Sequence, residues 1–143
     1  MLRIRPQETL DGGNHGWLNA RHHFAVSAQG NPANGRLGAL IVWNDDQIAP
    51  GTGFGRHTHA DIEIITYVRQ GVVTHEDSAG NVGTTVAGDV QVMSTGTGIS
   101  HSEQTVATSR SSCSRFGCFL SSAAKHRGGR VAAFPRAIMR GNW

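Results

Sequence analysis

Two short triplets, His57-Thr58-His59 and His101-Ser102-Glu103, constrain the fold of this chain most strongly. Alternate residues of a β-strand point to the same side of a sheet. If both triplets are extended, each presents two potential metal-binding side chains on one face. Three imidazoles and one carboxylate form a mixed nitrogen and oxygen donor set, which suits a borderline divalent ion. The triplets therefore predict one site for iron first, and also for manganese, nickel, copper or zinc.

The stretch between the triplets is typical of short strands joined by tight turns. Runs of β-branched residues predict strands within residues 62–68, 72–73 and 90–93. Turn-type residues 78–83 separate the second run from the third, and glycines at 96 and 98 precede the second triplet. Because this stretch shows no helical periodicity, we predict an all-β fold, an antiparallel barrel or sandwich.

Polar residues upstream of the first triplet have simpler interpretations. The apolar run from Leu37 to Trp43 predicts a strand, and Asn44-Asp45-Asp46 predicts a solvated turn that ends it. His22 and His23 are adjacent, so on a strand they would face opposite sides and could not chelate a metal together. We expect His15 to be a hydrogen-bonded structural residue.

The size of the chain and its cysteines limit the class of protein. A length of 143 residues is that of one domain with its own core. No apolar run approaches the roughly 18 residues of a membrane span, and the N-terminal segment lacks the apolar core of a secretory signal. Cys113 and Cys118 do not form a disulfide framework. We therefore expect a cytoplasmic protein in a reducing compartment.

The charge of the chain changes sign near residue 105. Residues 1–104 contain 6 Lys or Arg and 10 Asp or Glu, a net charge of −4, whereas residues 105–143 contain 7 Lys or Arg and no acid. Strand-type alternation is also lost there. We expect residues 1–104 to form the metal-binding domain and residues 105–143 to be an atypical basic tail that packs poorly. A basic tail can bind nucleic acid, but we expect no such role here.

Longer motifs around both triplets resemble the pirin family of the cupin superfamily over residues 12–104. They are Asn14-His15-Gly16-Trp17, Asn44-Asp45-Asp46, the segment 53–68 around the first triplet, His75-Glu76-Asp77-Ser78 and the segment 93–103 that ends in the second triplet. The resemblance implies a cupin-type double-stranded β-helix, which we expect to be incomplete at its C-terminus. It also implies His57, His59, His101 and Glu103 as metal ligands.

Two assignments near the site stay open at this point. The general cupin pattern would select Glu63 as the carboxylate ligand, whereas we favour Glu103 because its spacing places it beside His101 on one strand face. His75 follows Thr74 in a neighbouring predicted strand, where it either faces the pocket or has a structural role. No catalytic residue can be assigned.

The resemblance implies two functions. Pirin relatives are associated with a dioxygenase activity that opens the heterocycle of flavonols such as quercetin, and with an iron-dependent, redox-sensitive role as partners of transcription factors. An inactive metal-binding remnant is a third interpretation, because the family has a second cupin domain for which this chain has no room. We expect a small aromatic or flavonol substrate and no membrane partner; a protein partner belongs to the regulatory interpretation.

The tail has one further interpretation, translation out of frame. In pirins, a strand similar to Leu-Leu-Gln-Ile-Trp-Val-Leu-Pro follows the site. Codons can be chosen for the segment from Ser112 to Leu120 that encode this strand when they are read two bases further on. We therefore expect no designed role for Cys113 and Cys118.

Overall fold

The computed structural model describes residues 4–25, 31–106, 108, 110–119 and 130–134, and this part of the chain is built from β-strands. Its helical segments are two short 3-10 turns, Gln7–Thr9 and Pro32–Asn34. No helix in these ranges has the length and apolar character needed to cross a membrane. The strands are β1 (Asp11–Asn14), β2 (Leu18–His22), β3 (Leu40–Ile48), β4 (Gly53–His59), β5 (Ile62–Gln70), β6 (Val72–Asp77), β7 (Val82–Val86), β8 (Val90–Ser94), β9 (Ile99–Thr105), β10 (Ser111–Phe119) and β11 (Arg130–Phe134).

The strands form two antiparallel sheets. The larger sheet has the strand order β1-β2-β3-β10-β5-β8-β11, and the smaller has the order β4-β9-β6-β7. Consecutive strands such as β4 and β5 lie in different sheets, so the chain crosses between the sheets repeatedly. The all-β antiparallel architecture predicted from the sequence is confirmed.

Apolar side chains from both sheets meet in the core. Ile64 of β5 and Met93 of β8 pack with Ile99 of β9, which joins the larger sheet to the smaller one. A second cluster contains Ile48 and Cys113 with two residues of β2, and Phe54 of β4 packs against it. Full burial of an aliphatic side chain of this size contributes about 1.5–3 kcal/mol. The face of β9 that carries the second triplet therefore lies toward the core.

The turn predicted at residues 44–46 is wrong, because β3 continues through them. Asp46 is 1% exposed and lies opposite Cys113 of β10. Residues 44, 46 and 48 share the inner face of the strand, since side chains alternate. Asp46 is compensated there by Arg115, whose Nη1 lies 3.8 Å from Asp46 Oδ2. The sequence alone predicts a turn here because polar residues on the inner face of a strand resemble turn residues in composition. Arg115, the cation that stabilises Asp46, is distant in the sequence.

Strand β10 comes from the segment that we expected to pack poorly. It pairs with β3 on one side and with β5 on the other, and Cys113 within it is fully buried. Residues 111–119 thus have a defined place in the sheet. The division of the chain at residue 104 and the reading frame beyond it stay predictions, and residues 120–129 and 135–143 lie outside the described residues.

Candidate metal centre

The two predicted triplets lie side by side on β4 and β9. His57 is the antiparallel partner of His101, and Phe54 is the partner of Glu103. Three steps along β4, from Phe54 to His57, therefore correspond to two steps along β9, from Glu103 to His101. This mismatch is a bulge in β4 between Phe54 and His57. A bulge re-aims the side chains that follow it. Phe54 and His57 can consequently both face the site, although an odd spacing would place them on opposite faces of a regular strand.

Three imidazoles converge at this point. One ring nitrogen each from His57, His59 and His101 lies within 4.8 Å of the other two. The Nε2 atoms of His57 and His101 are 3.1 Å apart. The Nδ1 atom of His57 lies 2.7 Å from the carbonyl oxygen of Gly55. Since a carbonyl only accepts, Nδ1 carries the proton and the Nε2 lone pair of His57 points to the shared space.

Burial favours the neutral form of two histidines of this cluster. The pKa of His101 is lowered to about 4, first by burial and then by neighbouring histidines, against an opposing effect of Glu103. The pKa of His59 is also lowered, mainly by burial and then by His57. Metal ligation needs the neutral imidazole. Both histidines are therefore in the protonation state of a ligand at neutral pH.

Glu103 lies at the edge of the histidine cluster. It is 1% exposed, and one of its oxygens forms a second group with ring nitrogens of His75 and His101 within 4.8 Å. Among the described residues, neither carboxylate oxygen has a hydrogen-bond partner. Burial is the largest effect and would raise the pKa of Glu103, but the adjacent Arg115 and three neighbouring histidines together outweigh burial, and the pKa is lowered. Glu103 is therefore an ionised, buried carboxylate.

These observations fit a divalent metal ion. If two nitrogens each lie about 2.1 Å from one ion and their bonds to it form a right angle, the nitrogens are about 3 Å apart. The Nε2 atoms of His57 and His101 have nearly this spacing. The buried carboxylate oxygens of Glu103 are available as metal ligands, because no described group donates a hydrogen bond to them. A buried acceptor without a hydrogen-bond donor is costly; Arg115 offsets part of that cost from 3.2 Å, and a bound metal ion would offset more of it. The set of nitrogen and oxygen donors suits iron, nickel and similar ions.

Sequence reasoning missed two charged residues of the site, Arg115 and Asp46. Nη2 of Arg115 lies 3.2 Å from Oε2 of Glu103, and its guanidinium carbon lies 4.2 Å from the centre of the Phe54 ring. Asp46 has a raised pKa because of burial, and Arg115 opposes the increase. No signal in a single sequence pairs residues 46, 103 and 115, since three separate strands carry them.

The structure separates Glu63 from this group. Glu63 is half-buried on β5 and accepts a hydrogen bond of 2.7 Å from the Ser94 hydroxyl. It belongs to neither cluster of potential ligands. His75 is buried behind the site, with its Nδ1 3.4 Å from Nδ1 of His101. His22 and His23 lie elsewhere, and His23 contacts Asp45 at 3.2 Å.

A cavity of about 220 Å³ opens beside the histidines. Its apolar wall is formed by the four side chains of Val42, Phe54, Ile62 and Ile64. The polar wall consists of the three clustered histidines with Glu103, Arg115 and Asn44. Ligand pockets commonly combine an apolar wall with a few convergent polar groups, although most are about 300 Å³ or larger. The cavity has room for a small ligand that touches the histidine cluster.

Comparison with known proteins finds relatives of this chain. The family model described as Pirin matches residues 3–116. The pirin-like protein of Caulobacter vibrioides is 58% identical over 103 residues, which are 72% of this chain and 44% of that relative. The quercetin 2,3-dioxygenase of Escherichia coli K12 is 47% identical over 103 residues, 72% of this chain and 45% of that relative. The chain thus spans less than half the length of these two relatives.

Solved structures share the fold. The structure of the bacterial pirin YhhW from Escherichia coli in complex with nickel(II) has a TM-score of 0.84 to this chain at 37% identity. The similarity covers 91% of this chain and 56% of that chain. The cupin-type β-fold expected from the sequence is therefore confirmed, and the family model extends beyond residue 104, where the expected resemblance ended.

Proposed function

Because the chain belongs to the pirin family, we propose that it binds one divalent metal ion and, when loaded, oxidises a flavonol-type substrate with dioxygen. The proposed ligands are His57, His59, His101 and Glu103, and the proposed metal is iron. The observation that carries the proposal is the convergence of the His57 and His101 Nε2 atoms, 3.1 Å apart, on the polar wall of a cavity whose other wall is apolar. When bound, the metal would supply a Lewis acid for a substrate that enters the cavity.

The residues of the chain prepare the site for this chemistry. The Gly55 carbonyl holds His57 with its Nε2 lone pair inward. Val42, Ile62 and Ile64 form an apolar wall that excludes water from one side of the cavity. An aromatic ring that enters the cavity would lie against this wall and Phe54. Two relatives support the proposal. One is named quercetin 2,3-dioxygenase, and the structure of another was solved in complex with nickel(II).

A second candidate function is metal binding without turnover. The contact between Arg115 and Glu103 favours it, because a carboxylate held by a fixed cation at 3.2 Å would leave the three histidines to bind an ion without completing the proposed ligand set. The role as a redox-sensitive transcription partner stays a prediction. So do the cytoplasmic location and the expectation that the basic tail binds no nucleic acid.

Metal analysis and oxygen uptake test the proposal together. The purified chain is stripped of metal and reloaded with Fe²⁺ or Ni²⁺, and bound metal is measured by elemental analysis. Oxygen consumption and loss of quercetin absorbance are then followed. The matched control is the double variant His57→Ala/His101→Ala, with free metal at the same concentration as a second control.

We expect one metal per chain, lost in the double variant, and quercetin-dependent oxygen uptake above that of free metal. Stoichiometric metal in the double variant would refute the site. One metal per chain without oxygen uptake would refute the oxygenase and leave metal binding without turnover.

A further inference from the structure

A buried line of polar side chains runs from the β6–β7 turn to the histidine cluster. His75 and Asp77 lie on β6 next to β9, where Asp77 pairs with His101 and His75 pairs with Glu103. Both side chains are fully buried. Neither lines the cavity. Buried titratable groups outside the cavity of the proposed site require another explanation.

Hydrogen-bond partners determine the tautomer of His75. Its Nε2 lies 3.3 Å from Oδ2 of Asp77, which only accepts when it is ionised. The Gln91 side-chain nitrogen, a donor, lies 3.4 Å from Nδ1 of His75. Both contacts require the same form of His75, with the proton on Nε2 and a lone pair on Nδ1.

Asp77 is itself held in place by the turn that follows it. Its Oδ1 accepts from the backbone N–H groups of Ala79 and Asn81, at 2.9 and 3.0 Å. Its Oδ2 accepts from the Asn81 side chain at 2.8 Å. Burial opposes ionisation of Asp77, but these hydrogen bonds outweigh it and lower the pKa. Asp77 is thus a fixed, ionised acceptor for His75.

The same logic extends to His101. Its Nδ1 lies 3.4 Å from the Nδ1 lone pair of His75. The Nε2 lone pair of His57 faces the other ring nitrogen of His101, so His101 has two acceptors for its one proton. The ionised Asp77 makes Nδ1 of His75 more basic than Nε2 of His57, whose ring donates only to a carbonyl, and this favours the proton on Nδ1 of His101. The Nε2 lone pair of His101 then points toward His57, 3.1 Å away. A second group that accepts from the non-ligating nitrogen is a common way to orient a metal-binding histidine.

We infer that Asp77 and His75 act as positioning residues, which fix His101 in the Nδ1–H tautomer and so present its Nε2 lone pair to the metal. The inference rests on the proposed function, in which His101 is a metal ligand. It assigns a role to the second cluster, His75, His101 and Glu103, in which His75 orients a ligand and does not bind the ion. The consequence for metal affinity is a loss of about 10- to 100-fold when this support is removed.

The tautomer can be measured without metal. In the ¹⁵N-labelled, metal-free protein, long-range ¹H–¹⁵N spectra distinguish Nδ1–H from Nε2–H histidines. We expect His101 as Nδ1–H and His75 as Nε2–H. In His75→Leu, His101 loses its acceptor and should shift toward the Nε2–H form. In His75→Asn, the side-chain oxygen takes the place of Nδ1 and should keep His101 as Nδ1–H.

Nickel affinity, measured by calorimetry, completes the test. We expect His75→Leu to weaken binding by about 10- to 100-fold and His75→Asn to recover most of it. His15→Leu, at an exposed histidine outside the site, controls for the loss of one imidazole. An Nε2–H form of His101 in the wild type, or an unchanged tautomer in His75→Leu, would overturn the inference. If His75→Leu does not fold, the wild-type and His75→Asn spectra still decide. A wild type with the expected tautomers that binds no nickel would refute the proposed function and leave only the control of the His101 tautomer by His75 intact.

Discussion

Nη2 of Arg115 lies 3.2 Å from Oε2 of Glu103, so the carboxylate that we propose as a metal ligand already has a cation beside it. Both side chains are largely buried, Glu103 at 1% and Arg115 at 13% exposure. Asp46 is the second carboxylate near the same guanidinium, at 3.8 Å. In a buried cluster, the charge of Arg115 stabilises the metal-free state and opposes the entry of a divalent ion.

Replacement of Arg115 should therefore have opposite effects on folding and on metal binding. We expect Arg115→Met to lower the free energy of unfolding of the metal-free protein by about 3–5 kcal/mol, because two buried carboxylates lose their partner. Nickel affinity should rise at least tenfold, or about 1.4 kcal/mol. Calorimetry and thermal unfolding with and without nickel measure both effects. Arg69→Met, which removes an exposed cation bound to Asp45, is the control. An affinity unchanged from wild type would show that Arg115 does not compete for Glu103.

The fourth ligand can be identified by two matched substitutions. Glu103→Gln removes the charge beside the histidines, whereas Glu63→Gln changes a carboxylate that accepts from Ser94. We expect Glu103→Gln to weaken nickel binding about tenfold or more, or about 1.4 kcal/mol, and Glu63→Gln to leave it unchanged. Circular dichroism of each variant verifies folding. The reverse order of effects would favour the general cupin pattern, with Glu63 as the ligand.

The two cysteines of β10 should react at different rates. Cys113 is fully buried, and burial raises the pKa of its thiol to about 11. Cys118 is only half-buried. Because the thiolate is the reactive form, we expect a thiol reagent at pH 8 to label Cys118 first and Cys113 only after denaturation. Mass spectrometry of the labelled peptides gives the order. Equal labelling in the native protein would mean that β10 does not pack as described.

The hydrogen bonds to Asp77 should make one part of the stability depend on pH. The folded-state pKa of Asp77 is lowered, although its burial works in the opposite direction. The ionised form thus contributes stability above the ordinary pKa of about 3.9, and the contribution is lost as the pH falls through the lower folded pKa. We expect Asp77→Asn to cost about 1–3 kcal/mol at pH 7 and less in acid. Urea unfolding at several pH values measures this difference.

The neighbouring Glu76 provides the control for Asp77. It is exposed and pairs with the exposed Arg56 at 3.0 Å. Exposed ion pairs contribute little, so Glu76→Gln should change the unfolding free energy by less than about 0.5 kcal/mol at any of these pH values. A cost of Asp77→Asn that does not vary with pH would contradict the assignment of an ionised Asp77.

The reading frame of the basic tail is decided by the gene. If the tail is out of frame, the nucleotides for Ser112 to Leu120, read two bases further on, should encode Leu-Leu-Gln-Ile-Trp-Val-Leu-Pro. Sequencing the gene gives the answer directly. If the other frame downstream of residue 104 encodes no such strand, the tail needs a functional explanation, and the central position of residues 111–119 in the larger sheet becomes the starting point.

Local periodicity was enough to predict which residues meet on β9. His101 and Glu103 are two apart on one strand, so alternation alone places them on the same face. The same rule could not place Phe54 with His57, because a bulge in β4 changes the alternation between them. Bulges depend on how neighbouring strands pair, and a single strand carries no signal for that.

Charge compensation across strands was also invisible in the sequence. Asp46 resembles a turn residue until Arg115 is brought opposite β3 by the pairing of β10. His75 could equally face a pocket or support its neighbour, and only the contacts to Asp77 and His101 distinguish these roles. Ligand spacing is local information, whereas the groups that hold a ligand come from strands that meet only in the folded protein.

The place of β10 has a consequence for how the chain folds as it is synthesised. β10 is the strand that links β3 to β5 in the larger sheet, and its first residue, Ser111, pairs with Ile48, which leaves the ribosome much earlier. Contacts between such distant positions slow folding. Until residue 119 emerges, β3 and β5 expose strand edges that can pair with other chains. A nascent chain halted near residue 106 would therefore carry both histidine triplets and yet be prone to aggregate.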